Sequence, residues 1–497
     1  MVNYDFIIIG SGLGGLECAT ILSKEGYSVC VLEKNPIVGG CFQSFRRAGS
    51  VMDTGIHYIG SMDEGQILHQ YFKYFGILDK IKLRRLDNDA FDIIQYKDKA
   101  YQFAMGFDNF SSNMAEYFPR EQKGIELYTN QIKQIYDLIS VENLKKGIIS
   151  AGGIEYFSQS ASHMIESAVS DPYLRNILSG NNTLYAGKYD DSTLYHHAMV
   201  SASNIAGAYR FVDGSQSVAD AFVEVIRSNG GAVFTKQEVV RICIEDGKIS
   251  GVEVKSGEVF RAKNVISNIH PVQTLTLLDK THLIKKAYLT RMNSLPNTYG
   301  LFTVYLKMKR NSYPYINSNL YFHDQQDSWY ANTNPDDKNI HFALLCNQAN
   351  SLNEKFADVV TILSPMHYDE VAEWNDTTLG NRGDGYLDFK TRKAEEIIDF
   401  CAQFQPMLKS CIGSVYTSSP LTYRDYTGTP EGSAYGIMKS CKNPMITLIP
   451  TRTKIENLFL TGQNLNVHGA LGVTLTATLT CSEFLGKEYL AKKIGNA

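Results

Sequence analysis

The run from Tyr4 to Ala19 constrains this chain more than any other. An apolar stretch, Phe6-Ile7-Ile8-Ile9, enters Gly10-Ser11-Gly12-Leu13-Gly14-Gly15 and continues into Leu16-Glu17-Cys18-Ala19. That order reads as a buried strand, a glycine turn and the opening of a helix. Gly10 permits the tight bend, Gly12 lets backbone N–H groups approach a pyrophosphate, and Gly15 lets the helix pack close on the strand. The helix N-terminus then faces the anion with its partial positive charge. A second apolar strand, Tyr27-Ser28-Val29-Cys30-Val31-Leu32, ends on Glu33, roughly 20 residues past the glycines, where an acid accepts hydrogen bonds from an adenosine ribose. A ligand-free glycine turn is a poor competitor once strand, turn, helix and acid all agree.

After Glu33 and Lys34 come Gly39-Gly40-Cys41-Phe42-Gln43-Ser44, an arrangement of flavoproteins rather than of nicotinamide dehydrogenases, so FAD outranks NAD. The run Met52-Asp53-Thr54-Gly55-Ile56-His57-Tyr58-Ile59-Gly60, taken with Gly39-Gly40-Cys41, resembles the retinol saturase branch of the phytoene desaturase (carotenoid oxidoreductase) superfamily of FAD-dependent enzymes. Most carotenoid desaturases carry an arginine where Cys41 stands, and Arg46 or Arg47 is expected to supply the missing charge. At the far end, Glu456–Asn464 reads as a strand running into a turn, followed by Gly469-Ala470-Leu471-Gly472-Val473 and a helix. This resembles the C-terminal flavin segment of the same superfamily, with Asn464 where many members place an Asp.

The resemblance spans nearly the whole chain. Together with the fingerprint it implies a cofactor-binding set of Gly10, Ser11, Gly12, Gly14, Gly15, Glu33, Lys34, Gly40, Cys41, Ser44, His57, Val239, Gly462, Asn464, Gly472 and Val473. Val239 opens the strand that lies beside the adenine in the family. The segment ending Tyr209-Arg210-Phe211-Val212-Asp213-Gly214 resembles the family's return from substrate domain to FAD domain, from whose usual Tyr-Pro form Arg210 and Asp213 depart.

The chain has 497 residues, too many for one core at roughly 100–200 residues per domain. The expected fold is α/β: a discontinuous Rossmann-type FAD-binding domain (1–70, 210–275 and 450–497) interleaved with an α+β substrate domain carrying a helical cap (71–209 and 276–449). Within the latter, Pro172 suits the first turn of a helix capped by Ser170 or Asp171, and Lys390–Cys411 reads as a helix broken near Pro406. A formal net charge of −4 gives no reason to expect nucleic-acid binding. Nine cysteines, with no C-x-x-C pair and no zinc-like Cys/His spacing, read as reduced thiols, and no metal is expected. The first strand leaves no room for a signal peptide and no apolar run approaches the roughly 20 residues of a membrane span. The expectation is therefore a cytoplasmic protein, peripheral to a membrane where a lipophilic substrate requires it.

Flavin supplies hydride chemistry, and the protein supplies position, polarisation and a proton. The candidates for that proton are His197, in the transition segment, with the alternative of a histidine bonded within the fold; Tyr435, with the alternative of a pocket wall; and His468, before the C-terminal helix, with the alternative of a surface residue. His57 and Tyr58 are expected to pack on flavin or substrate. The resemblance implies an oxidoreductase acting on carbon–carbon double bonds of an apolar polyene or isoprenoid, in the saturating direction. A desaturase or a cis–trans isomerase is the nearest alternative, and an escort or GDP-dissociation-inhibitor-like binder of prenylated partners the non-enzymatic one. No second strand–G-x-G-x-x-G–helix unit exists, so NAD(P)H, if it donates electrons, binds transiently near the flavin.

Overall fold

The computed structural model describes residues 3–150, 152–278, 284–325, 327–330 and 336–497. Two seven-stranded sheets organise them. In the first, strand Asn3–Ile9 lies between Val29–Leu32 and Val259–Ser267, parallel to both. Ala232–Phe234 extends the sheet beyond Val29–Leu32. On its other edge Val259–Ser267 takes Lys248–Val254 antiparallel and then, further along, Leu458–Leu460 parallel. Phe6–Ile9 and Val29–Leu32 are buried at every position, the continuous apolar run that a parallel strand covered on both faces requires. Helix Leu13–Lys24 packs against two helices distant in sequence, Gly469–Leu485 and Gln216–Ser228.

The second sheet has the order Ile412–Ser418, Gly300–Met308, Val359–Met366, Phe342–Asn347, Asn319–His323, Asp92–Tyr96, Lys99–Phe103. Its neighbours are antiparallel except the pair Asn319–His323 and Asp92–Tyr96. Side chains alternate between faces. Phe302, Val304, Phe322 and Leu345 join a core with Ile397 and Cys401 of helix Asp384–Phe404. Tyr321, Phe342, Leu344 and Leu363 point the other way, into a core shared with helices Gln122–Tyr136 and Leu194–Ala206. That helical layer is the cap.

Local signals decide element ends. Asp171 caps helix Pro172–Leu178 by accepting from the N–H groups of Tyr173 (2.8 Å) and Leu174 (3.2 Å), with Pro172 at the first position. Helix Asp384–Phe404 stops before Pro406 and a short turn, Leu408–Cys411, follows. The return strand Tyr209–Phe211 pairs with Leu83–Arg85. Arg210 is 1% exposed, and its guanidinium donates to Tyr315 Oη (3.0 Å), Ile316 O (2.8 Å), Ser318 O (2.7 Å) and Asn319 Oδ1 (2.9 Å). A residue that departs from the family form thus ties the return segment to the second sheet. None of the nine cysteines is in a disulfide. Among the described residues, no helix is long and apolar enough to cross a membrane, and no group of three His, Cys, Asp or Glu is placed to hold a metal ion.

Candidate active site

An elongated groove of about 440 Å³ runs along the carboxyl ends of the parallel strands in the first sheet, where open α/β sheets place their ligands. Glu33, Lys34 and Val239 line one end; Gly10, Gly12 and Gly14 the middle; Gly462, Asn464, Ala470 and Val473 the other. Gly10 has φ +90°, and a Cβ on Gly15 would stand 2.2 Å from the Gly10 carbonyl oxygen, so the close strand–helix approach is built on backbone. Helices Leu13–Lys24 and Gly469–Leu485 both start at the groove with no side-chain cap, which leaves first-turn N–H groups for an anion. Glu33 is 5% exposed; its Oε2 accepts from both the backbone N–H (2.9 Å) and the hydroxyl (2.5 Å) of Ser11, and its Oε1 from the Asn35 N–H (2.8 Å). Ser11 therefore sits under the acid and aims it. Burial lowers the Lys34 ammonium, which donates to the Asp425 carbonyl at 2.9 Å. A glycine cradle, an aimed carboxylate and two uncapped helix starts fit FAD; Glu33 and Val239 would hold its adenosine, and the Ala470 end its ring.

A second, apolar cavity of about 170 Å³ lies between the second sheet and the helical cap, walled by Leu68, Met199, Leu301, Phe342, Leu344 and Leu363. Among the described residues, no Asp, Glu, Lys or Arg lines it. Cys41, Gly55, Ile56, Ala434, Tyr435, Gly469 and Ala470 line both spaces, so the ring end of the groove opens onto the apolar cavity.

Of the residues expected at the cofactor, Gly10, Gly12, Gly14, Glu33, Lys34, Gly40, Cys41, Val239, Gly462, Asn464 and Val473 line the groove. Ser11 and Gly15 lie just beneath it. Gly472 and His57 line the apolar cavity instead. Ser44 lines neither; its hydroxyl donates to Asp53 Oδ1 at 2.6 Å. Arg46 and Arg47 do not supply the missing charge: both are exposed on the strand Ser44–Arg47, away from the groove.

The three proton-donor candidates separate. His197 lines neither space: it is clamped between Tyr128 Oη (2.9 Å to Nε2) and Tyr185 Oη (3.0 Å to Nδ1), and burial holds its pKa at about 4. Tyr435 and His468 do border the apolar cavity, their rings 4.6 Å apart. His468 stacks in turn on His196 at 5.1 Å, and burial with the nearby Lys439 ammonium lowers its pKa to about 3. Lys439 is itself pushed down to about 7 by burial, while donating to the carbonyls of Thr447, Asn464 and Leu465.

Sequence reading missed Asn268. Its amide stands 2.8 Å from a Cβ placed on Gly12, 2.9 Å from one on Gly14 and 2.5 Å from one on Gly462, which puts one side chain where three glycines converge. The signal was present, since Asn268 follows a strand that enters the sheet beside the fingerprint strand. Asp92 was missed too. It is fully buried beside Tyr58, in a strand whose apolar neighbours gave no hint of chemistry.

The model of the flavin containing amine oxidoreductase family matches residues 13–370. The chain belongs to that family. It is 27% identical to the all-trans-retinol 13,14-reductase of Homo sapiens over 543 residues, covering 99% of this chain and 87% of that one. It is 29% identical to prolycopene isomerase 1 of an Oncidium hybrid over 284 residues, 54% of this chain and 48% of that one. Among solved structures, an oxidoreductase from Methanosarcina mazei superposes with TM-score 0.64 at 18% identity over 95% of this chain and 98% of that one. Putrescine oxidase with putrescine bound gives 0.64 at 14% over 97% and 99%. This chain is therefore an FAD-dependent oxidoreductase with a Rossmann-type fold, and the residues of the groove described above fit its flavin cofactor.

Proposed function

We propose that this flavoenzyme saturates a carbon–carbon double bond of a conjugated, apolar polyene or isoprenoid. The observation that carries the reading is the apolar cavity opening at Ala470 and Tyr435 onto the ring end of the groove, with no Asp, Glu, Lys or Arg among the described residues of its lining. An amine substrate arrives as an ammonium ion and needs a counter-charge once desolvated, and no Asp or Glu among the described residues stands in this lining. A polyene asks only for apolar walls. FAD, when bound, supplies hydride chemistry. The protein's part is to hold the substrate plane against the junction residues, to keep water from the apolar walls and to deliver one proton.

Retinol reductase similarity over nearly the full chain supports the saturating direction, and similarity to prolycopene isomerases supports cis–trans isomerisation as the second reading. The continuity of groove and cavity speaks against a non-enzymatic escort. A nicotinamide donor is proposed to meet the flavin only transiently. Cytoplasmic placement with peripheral membrane contact belongs to the same proposal; Met445 and Ile446, exposed side by side on the short helix Pro444–Thr447, suit it.

The test is anaerobic incubation of the chemically reduced holoenzyme with a conjugated polyene, followed by mass spectrometry. The expected product is heavier by two hydrogens. Recovery of geometric isomers alone favours the isomerase, and a more unsaturated product from oxidised enzyme favours the desaturase.

A further inference from the structure

We propose that Tyr58 is the proton donor of this reaction and that Asp92, behind it, is the acid that recharges it. The inference rests on the polyene-reducing function proposed above and assigns the one group that function leaves unnamed.

Tyr58 lines the apolar cavity two residues after Ile56, which lines the junction with the flavin groove. Tyr58 is half-buried at that wall, and its hydroxyl is hydrogen-bonded there. There it meets Asp92 Oδ2 at 3.1 Å and the hydroxyl of Tyr321. Asp92 and Tyr321 are both 0% exposed. Asn319 donates to Asp92 Oδ1 at 2.8 Å and Asn181 to Oδ2 at 3.4 Å. The carboxyl is thus held in place by neutral donors.

The groups facing Asp92 come from every element around it: Tyr58 before the cavity, Asn181 from the cap, Asn319 and Tyr321 from the neighbouring strand, Cys346 two strands away, and Arg210 through Asn319. Burial raises the carboxyl, and the three amide and hydroxyl partners together with the Arg210 charge only partly offset this, leaving it at about 7. Asp92 can therefore be both acid and base near neutrality, the condition for an efficient proton reservoir. The two histidines on the cavity cannot do this: His57 and His468 are held at about 4 and about 3 and carry no spare proton at pH 7.

The chemistry balances. Saturating one double bond adds a hydride to one carbon and a proton to the other. FAD, when bound and reduced, would supply the two electrons as hydride. The Tyr58 O–H bond breaks as the new C–H bond forms, and the phenolate is stabilised by the Tyr321 hydroxyl. The Asp92 carboxyl then passes its proton to the Tyr58 oxygen, and the carboxylate regains one from solvent between turnovers. While Asp92 is protonated it donates to Tyr58, which frees the Tyr58 hydrogen to point into the cavity.

The test uses the holoenzyme in three variants, Tyr58→Phe, Asp92→Asn and Asp92→Glu, with flavin occupancy and circular dichroism measured first. Tyr58→Phe should lower single-turnover polyene reduction by about 100-fold or more, the scale of a lost general acid. Wild-type turnover should fall as pH rises through about 7, and that limb should vanish in Asp92→Asn and return, shifted, in Asp92→Glu. Infrared difference spectra need no substrate: the wild type should show a carboxylic C=O band that titrates over the same range and is absent from Asp92→Asn. If wild-type enzyme reduces no polyene, the functional reading falls and takes the relay with it. If wild type reduces the polyene and Tyr58→Phe keeps pace, or no carboxyl band titrates near neutrality, the relay alone is overturned.

Discussion

The hydroxyl of Thr474, on the last long helix, donates to Oε1 of Glu17, on the first, at 2.5 Å, across 457 positions of sequence. Both residues are fully buried, and the second oxygen of Glu17 has no hydrogen-bond partner among the described residues. Burial raises the Glu17 carboxyl well above its ordinary 4.5, so the acid stays neutral in the fold while the unfolded chain ionises it.

The sign follows from linkage. A carboxyl raised in the folded state favours folding fully below pH 4.5, and that contribution is lost as pH rises towards the folded value. Glu17→Gln keeps an oxygen for Thr474 and removes the titration. Its stability relative to wild type should therefore increase with pH, with little difference at pH 4.5 and a clear gain at pH 8. Urea denaturation at the two values measures it, and a pH-independent difference would show that Glu17 does not titrate there.

The glycine cradle gives an ordered pair of outcomes. A Cβ at Gly15 meets the Gly10 backbone oxygen at 2.2 Å, whereas one at Gly12 meets the movable Asn268 amide at 2.8 Å. Gly15→Ala should cost about 3 kcal/mol or more through forced backbone movement. Gly12→Val should leave the apoprotein folded and exclude FAD, since its side chain enters the groove. Thermal melts and the flavin-to-protein absorbance ratio separate the two effects, and full occupancy in Gly12→Val would sink the assignment of the cradle.

His197 should behave as a structural residue. Its imidazole is bonded at both nitrogens to tyrosines and reaches neither cavity nor groove. Its folded pKa of about 4 lies below the ordinary 6.5, so it contributes stability above pH 6.5 that is lost as pH falls towards 4. Lowering pH from 7 to 5 should therefore cost wild type about 2 kcal/mol more than His197→Gln. The variant should also turn over within a few-fold of wild type once folded, and a loss comparable to that expected for Tyr58→Phe would restore His197 as a candidate donor.

The two ends of this fold were legible because their constraints are local. Gly10, Gly12, Gly15 and Glu33 sit at fixed spacings that only one backbone path satisfies, and Gly469–Val473 repeats the helix-start logic. What was not legible depends on contacts between distant segments. Whether His197 faces a cavity or two tyrosines depends on Tyr128, 69 positions earlier. Asp92 alternates correctly in a strand, and nothing in its neighbours says that Tyr58 and Tyr321 converge on it. Cys41 lines both groove and cavity because Gly40 (φ +57°) turns the loop against Gly12, a contact that no local pattern announces.

The boundary between groove and cavity can be tested by filling one and sparing the other. Leu344 lies on the central strand Phe342–Asn347 with its side chain against the apolar cavity and away from the groove. Leu344→Trp adds bulk to a space of about 170 Å³, and because that bulk enters a cavity, the penalty should sit at the low end of the roughly 1–3 kcal/mol typical of overpacking. Flavin occupancy and the rate of chemical flavin reduction should match wild type, because no groove residue moves. Polyene turnover should fall, most for the longest substrates, with the change expressed in KM before kcat. A series of polyenes of increasing length measures this, and an unchanged length profile would show that the substrate lies elsewhere.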